Sequence, residues 1–179
     1  YRDIVLYAPD RTPCAIDLSD NTNLWGSPPS AESELRAASL TRYPSIYAHD
    51  LKRALASYAG VEIDSLVTGC GSDDVLDSAI RAFADPRGRL AFPEPSFAMM
   101  PIFARMNGLE PVAVPLQEDF DIDANALLAT RARIIYICSP NNPTGQSMAR
   151  ADPERICRET AGRALVVIDE AYHEFATGG

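Results

Sequence analysis

From Ala48 onward the apolar positions alternate between two periods. Leu51, Leu55 and Tyr58 recur at helical spacing, which predicts a helix over Ala48–Tyr58 stopped by Gly60. Ser65–Thr68 reads as a short strand running into Gly69-Cys70-Gly71. A helix from Ser72 to Ala84 follows, with Val75, Leu76, Ala79, Ile80 and Phe83 as its apolar stripe. Four further strands are predicted at Arg89–Phe92, Pro111–Pro115, Arg133–Cys138 and Ala164–Ile168. Helices are predicted between them at Phe97–Met106, Ala124–Thr130 and Asp152–Ala161, and Pro101 fits only the first turn of its helix. The start of the chain is different. Pro9, Pro13, Pro28 and Pro29 bracket Asp20–Gly26, which predicts an extended arm with turns. A short helix over Ala31–Leu40, begun by Ser30, breaks at Arg42-Tyr43-Pro44, because a residue before proline is driven out of the helical region.

Strands that are apolar on both faces and alternate with helices predict an α/β fold, a parallel sheet covered on both sides. Ligands in such sheets sit beyond the carboxyl ends of the strands. Four polar or glycine-rich segments fall there. Gly69–Asp74 could offer backbone N–H groups and a helix N-terminus to an anion, or could simply be a tight turn whose Ser72 and Asp73 cap their own helix. It lacks the third glycine of a dinucleotide fingerprint and the lysine of a P-loop. In Ser139-Pro140-Asn141-Asn142-Pro143-Thr144-Gly145 two X-Pro steps set a rigid path, from which a side-chain amide can meet a ligand oxygen at little ordering cost. Asp169, directly after Leu165–Ile168, is a carboxylate at the end of a buried strand, and a protonated heterocyclic nitrogen would suit it; capping the next turn is the alternative. Phe97, in Pro93-Glu94-Pro95-Ser96-Phe97, can stack on a planar ligand or pack in the core.

Composition narrows the field. The 179 residues are 46% apolar and 23% charged, the balance of a globular chain. No apolar run approaches the ~20 residues that cross a bilayer. Sixteen Lys and Arg against 25 Asp and Glu leave a net charge of -9, a field that repels nucleic acid and anionic membranes. Cys14, Cys70, Cys138 and Cys157 form no C-x-x-C pair, and His49 and His173 are the only histidines, so neither a metal centre nor a disulfide framework is expected. Reduced thiols and an opening Tyr1-Arg2-Asp3 without an apolar signal segment suggest a cytoplasmic protein. The missing initiating methionine suggests an N-terminus trimmed or left out of the sequence.

Taken together the motifs resemble the fold-type-I, pyridoxal-phosphate-dependent aminotransferases of class I/II, and most closely their histidinol-phosphate aminotransferase branch. The resemblance rests on Asn21-Thr22-Asn23-Leu24-Trp25-Gly26, Arg42-Tyr43-Pro44, Gly71-Ser72-Asp73-Asp74, Pro95-Ser96-Phe97, Ser139–Gly145 and Asp169-Glu170-Ala171-Tyr172. It implies a three-layer, mostly parallel large domain from residue 41 to 179, and an arm over 1–40 that belongs to the small domain. Ser72 and Asp73 are then expected at the cofactor phosphate and Phe97 on the pyridine ring. Asn142 and Tyr172 fall at the phenolic oxygen and Asp169 at the pyridinium nitrogen. Tyr43 is expected to reach the phosphate of a partner subunit in a homodimer. Asn23 and Trp25 are expected near the substrate, where the family usually has proline and tyrosine in place of Leu24 and Trp25. Amino acids and 2-oxo acids are the implied substrates, with transamination between histidinol phosphate and 2-oxoglutarate in histidine biosynthesis the leading reading. A threonine-phosphate decarboxylase or an aminotransferase for another amino acid is the alternative, and a non-catalytic scaffold a remote one. The family's Schiff-base lysine lies downstream of Asp169–Tyr172, beyond Gly179. The one lysine present, Lys52, is read as a solvated residue on the Ala48–Tyr58 helix.

Overall fold

A computed structural model describes residues 12–16, 21–39 and 41–176. The chain divides into two compact units, Ala8–Thr68 and a unit formed by Gly69–Gly179.

The Ala8–Thr68 unit carries two helices, α1 (Pro29–Ala37) and α2 (His49–Ala59), and a 3-10 turn at Ile63–Ser65. Helix α1 starts earlier than Ser30 predicts, because Pro29 at its first position has the required φ and no N–H to waste. Leu40 lies outside the described residues. Helix α2 ends as expected at Gly60, whose left-handed φ of 67° turns its N–H back to the Ala56 carbonyl. The strand expected at Ser65–Thr68 does not form. Leu66 is extended, but no neighbouring strand pairs with it, and Val67 is 73% exposed. No described residue of this unit is buried.

The core lies in the second unit. Its elements are α3 (Gly71–Phe83), β1 (Arg89–Glu94), α4 (Met100–Met106), β2 (Glu110–Pro115), α5 (Ala124–Ala129), β3 (Ile134–Cys138), α6 (Ala151–Thr160) and β4 (Leu165–Asp169). Asp123 starts α5 by accepting a hydrogen bond from the Ala126 N–H at 2.9 Å. Helix α4 begins after Phe97 rather than at it, with Pro101 in its first turn. The strands form one parallel sheet in the order β2-β1-β3-β4. Successive β3 side chains serve opposite faces. Ile134, Tyr136 and Cys138 pack with Leu76 and Ile80 of α3 and Met100, Phe103 and Ala104 of α4. Ile135 and Ile137 pack with Leu127 of α5 and Ile156 of α6. The result is a three-layer α/β arrangement.

The chain leaves β1 toward β2 and returns to place β3 on the other side of β1, so the order in which strands are added reverses between β1 and β3 while all stay parallel. The ladder is short at that point. β1 pairs with β3 only at Leu90↔Ile134 and Ala91↔Ile135, whereas β3 pairs with β4 from Ile134↔Leu165 through Cys138↔Asp169. The Arg133 N–H bonds to the Arg89 carbonyl, so alternate residues Arg89, Ala91 and Pro93 face β3. Pro93 has no N–H to donate, and the ladder stops before it. The carboxyl ends of β1 and β3 are thus the switch point of the strand order, where open α/β sheets bind ligands.

Candidate active site at the carboxyl edge of the sheet

The loops that follow β1 and β3 are fastened to each other by Asn141, which is 2% exposed. Its Oδ1 accepts from the Ser96 hydroxyl at 2.7 Å, and its Nδ2 donates to the Pro95 carbonyl at 3.1 Å and to the Thr144 hydroxyl at 2.9 Å. Its backbone N–H donates to Gln146 O at 2.8 Å and its carbonyl accepts from Gly145 N–H at 2.7 Å. Every polar group of this side chain serves the loops themselves. The bonds Glu94–Pro95, Ser139–Pro140 and Asn142–Pro143 are cis. Asn142, the amide expected at the cofactor, follows directly and is half-buried.

Asp169 ends β4 beside Cys138, and its carbonyl accepts from the Ser139 N–H at 2.9 Å. Both carboxylate oxygens are engaged. Oδ2 accepts from the Tyr136 hydroxyl at 2.8 Å, and Oδ1 from the Ala171 N–H at 3.0 Å. Tyr136 is 1% exposed and pairs in register with Val167, two residues before Asp169, so its ring reaches diagonally along β4. Burial, with Cys138 and the Asp169 charge beside it, pushes the phenol far above its ordinary range, so it stays protonated and donates. Burial likewise raises the Cys138 thiol, whose Sγ donates to the Pro140 carbonyl at 3.3 Å; it is an unreactive thiol rather than a nucleophile.

Helix α3 precedes β1 in the chain and packs through Leu76 and Ile80 on the sheet face that carries Tyr136. Ser72 and Asp73 occupy its first turn and are exposed. Asp74, also exposed, turns back on its own helix: its Oδ2 accepts from the Cys70 N–H at 2.9 Å and caps the helix start. Gly69 leaves the space for this, since a Cβ there would lie 2.6 Å from Asp74 Oδ2. The remaining orphan N–H groups of the first turn and the helix dipole favour an anion. Phe97, half-buried, packs on the α3–α4 side of the sheet. Tyr172, also half-buried, precedes a 3-10 turn at His173–Phe175.

Thus Ser72, Asp73, Phe97, Asn142, Asp169 and Tyr172 all belong to the Gly69–Gly179 unit and follow its strands or open its first helix. Asn23, Trp25 and Tyr43 belong to the other unit and are exposed. Asn23 organises its own turn, accepting from the Trp25 N–H at 3.0 Å and donating to the Gly26 carbonyl at 2.9 Å. Lys52 is half-buried rather than fully solvated. Sequence reasoning missed Asn141 and Tyr136. Adjacent Asn141 and Asn142 are indistinguishable by type, and a tyrosine within an apolar strand counts as core until its register is known. A separate recess between α6 and β4, lined by Met148, Cys157, Ile168, Glu170 and His173 among others, includes none of these residues. Among the described residues no helix is long and apolar enough to cross a membrane.

This arrangement has counterparts. Histidinol-phosphate aminotransferase of Ruegeria pomeroyi is 37% identical over 168 residues, covering 91% of this chain and 46% of that protein. An aromatic amino acid aminotransferase of Nocardia farcinica is 36% identical over 179 residues, covering 96% of this chain and 50% of that protein. The chain thus spans about half the length of the relatives it matches. Among solved structures, histidinol-phosphate aminotransferase from Sinorhizobium meliloti in complex with pyridoxal-5'-phosphate superposes with a TM-score of 0.79 at 26% identity, covering 86% of this chain and 43% of that one. The model of the family "Aminotransferase class I and II" matches residues 14–179, so the fastened loops, the capped helix and the strand-end aspartate belong to a member of the class I and II aminotransferases.

Proposed function

We propose that the protein containing this chain is a pyridoxal-phosphate-dependent aminotransferase that exchanges the amino group of histidinol phosphate with 2-oxoglutarate. The observation that carries the cofactor reading is Asp169. Its two oxygens are held from the protein side by Tyr136 and Ala171, at the carboxyl end of β4. A carboxylate so held keeps acceptor capacity for a cationic N–H, and a protonated pyridine nitrogen meets that need. The residues present fit the group: Ser72 and Asp73 would hold the phosphate at the start of α3, Phe97 would lie on the ring, and Asn142 and Tyr172 would hydrogen-bond its phenolic oxygen. Bound pyridoxal phosphate supplies an electron sink for the substrate's α-carbon. The chain's part is to keep the ring nitrogen protonated through Asp169, to neutralise phosphate charge at a helix N-terminus, and to hold the ring between rigid loops. A homodimer in which Tyr43 reaches the partner's phosphate, substrate contacts from Asn23 and Trp25, and a cytoplasmic location belong to the same proposal.

A second reading, an aminotransferase for aromatic amino acids, is favoured by the relative from Nocardia farcinica. One assay separates them. The natural protein, loaded with pyridoxal phosphate, is given 2-oxoglutarate and either histidinol phosphate or phenylalanine. A kcat/KM higher for histidinol phosphate supports the first reading, and a higher value for phenylalanine replaces it with the second. Borohydride reduction and intact mass test the cofactor in both cases: one adduct on a lysine other than Lys52 is expected, and no adduct refutes it. Asp169→Asn is expected to lower kcat/KM at least about 100-fold, the scale of a lost electrostatic contact in a preorganised site.

A further inference from the structure

We propose that Tyr136 is a positioning residue for Asp169: its buried hydroxyl fixes which way the carboxylate faces, and thereby how well it holds the ring nitrogen of the bound cofactor. The proposal rests on the pyridoxal-phosphate reading above and gives a role of its own to Tyr136, which that reading names only as a partner of Asp169. A carboxylate at a strand end can rotate about its side-chain torsions. Here the Tyr136 hydroxyl at 2.8 Å from Oδ2 and the Ala171 N–H at 3.0 Å from Oδ1 fix both oxygens. The backbone donor is anchored in the chain two residues on. The phenol is anchored differently: it projects from the fully buried central strand β3, whose register with β4 is continuous from Ile134↔Leu165 to Cys138↔Asp169. Its ring is locked in the cluster of Leu76, Ile80, Met100 and Phe103, against which Phe97 also packs. Tyr136 therefore ties the direction of the Asp169 carboxylate to the rigid centre of the sheet. As a neutral donor to an anion, it also stabilises the ionised carboxylate that a pyridinium requires.

A role confined to core packing would act on any ligand of the site equally. A role through Asp169 acts only on ligands that carry the ring nitrogen. The natural protein, stripped of cofactor, is titrated with pyridoxal phosphate and with its 1-deaza analogue, in which carbon replaces that nitrogen. Tyr136→Phe keeps the ring and removes the hydroxyl. It is expected to weaken pyridoxal phosphate binding about tenfold, the scale of a hydrogen bond to a charged group, while changing affinity for the analogue less than about twofold. Equal loss for both ligands, or no loss for either, overturns the proposal. Failure of both ligands to bind the natural protein refutes the cofactor reading instead. A measurement without any substitution reads the same link: with 13C at the tyrosine ring carbon bearing the hydroxyl, the Tyr136 resonance is expected to move on binding pyridoxal phosphate and to stay in place with the analogue. Equal movement with both, or none with either, overturns the proposal as well.

Discussion

Tyr136 has a signature independent of any cofactor. Its phenol is raised above the ordinary value of 10.0, so the folded protein keeps the proton where the unfolded chain releases it. The stability this contributes is complete below pH 10 and is lost as pH rises beyond it, by roughly 1.4 kcal/mol per pH unit. Urea unfolding between pH 8 and 11.5 is expected to show that loss in the natural protein and a flatter profile in Tyr136→Phe; parallel profiles would contradict it. At the start of α3, Gly69 and Asp74 act as a pair, because a Cβ at Gly69 would lie 2.6 Å from the oxygen that caps Cys70. Gly69→Ala and Asp74→Ala should each cost about 1 kcal/mol, as lost helix caps do, and the double variant clearly less than the sum. Additive losses in a denaturant series would show the two to be independent.

Between elements, Asn141 joins the loop after β1 to the loop after β3 through Ser96, Pro95 and Thr144. Asn141→Ala leaves buried partners without their bonds and is expected to cost about 3 kcal/mol in urea unfolding. A loss under about 1 kcal/mol would mean that water replaces the amide. The elements around it were readable from periodicity, since β3 with Ile134, Ile135, Tyr136, Ile137 and Cys138 has no polar position to confuse the pattern. Ser65–Thr68 was not readable, because its residues suit a strand in isolation and only the absence of a pairing partner leaves it as an unpaired extended segment.

At the scale of the molecule, the buried residues among those described all lie in the Gly69–Gly179 unit, and the sheet there is uneven. β3 is wholly buried, while β4 is half-exposed along its length, with Ile168 40% exposed. An apolar strand with an open edge invites pairing with another chain. The 179-residue chain on its own is expected to self-associate in sedimentation velocity at about 50 μM, and Ile168→Lys to reduce that association, a charge on an edge being a common natural guard. A monomer at that concentration would show the edge to be protected.

Apart from Ser65–Thr68, element types, their order and the strand-end loops were legible in one chain because they depend on local chemistry: side-chain period, proline geometry and glycine at helix ends. The family motifs marked Ser72, Phe97, Asn142 and Asp169 for the same reason, each standing at fixed offsets from a strand or helix boundary. Partnership was not legible. Which of two adjacent asparagines is buried, why the β1–β3 ladder stops at Pro93, and which donor faces Asp169 all depend on register between strands about thirty or more residues apart. That register is decided by packing two helical layers on the sheet at once, which no short window of sequence contains.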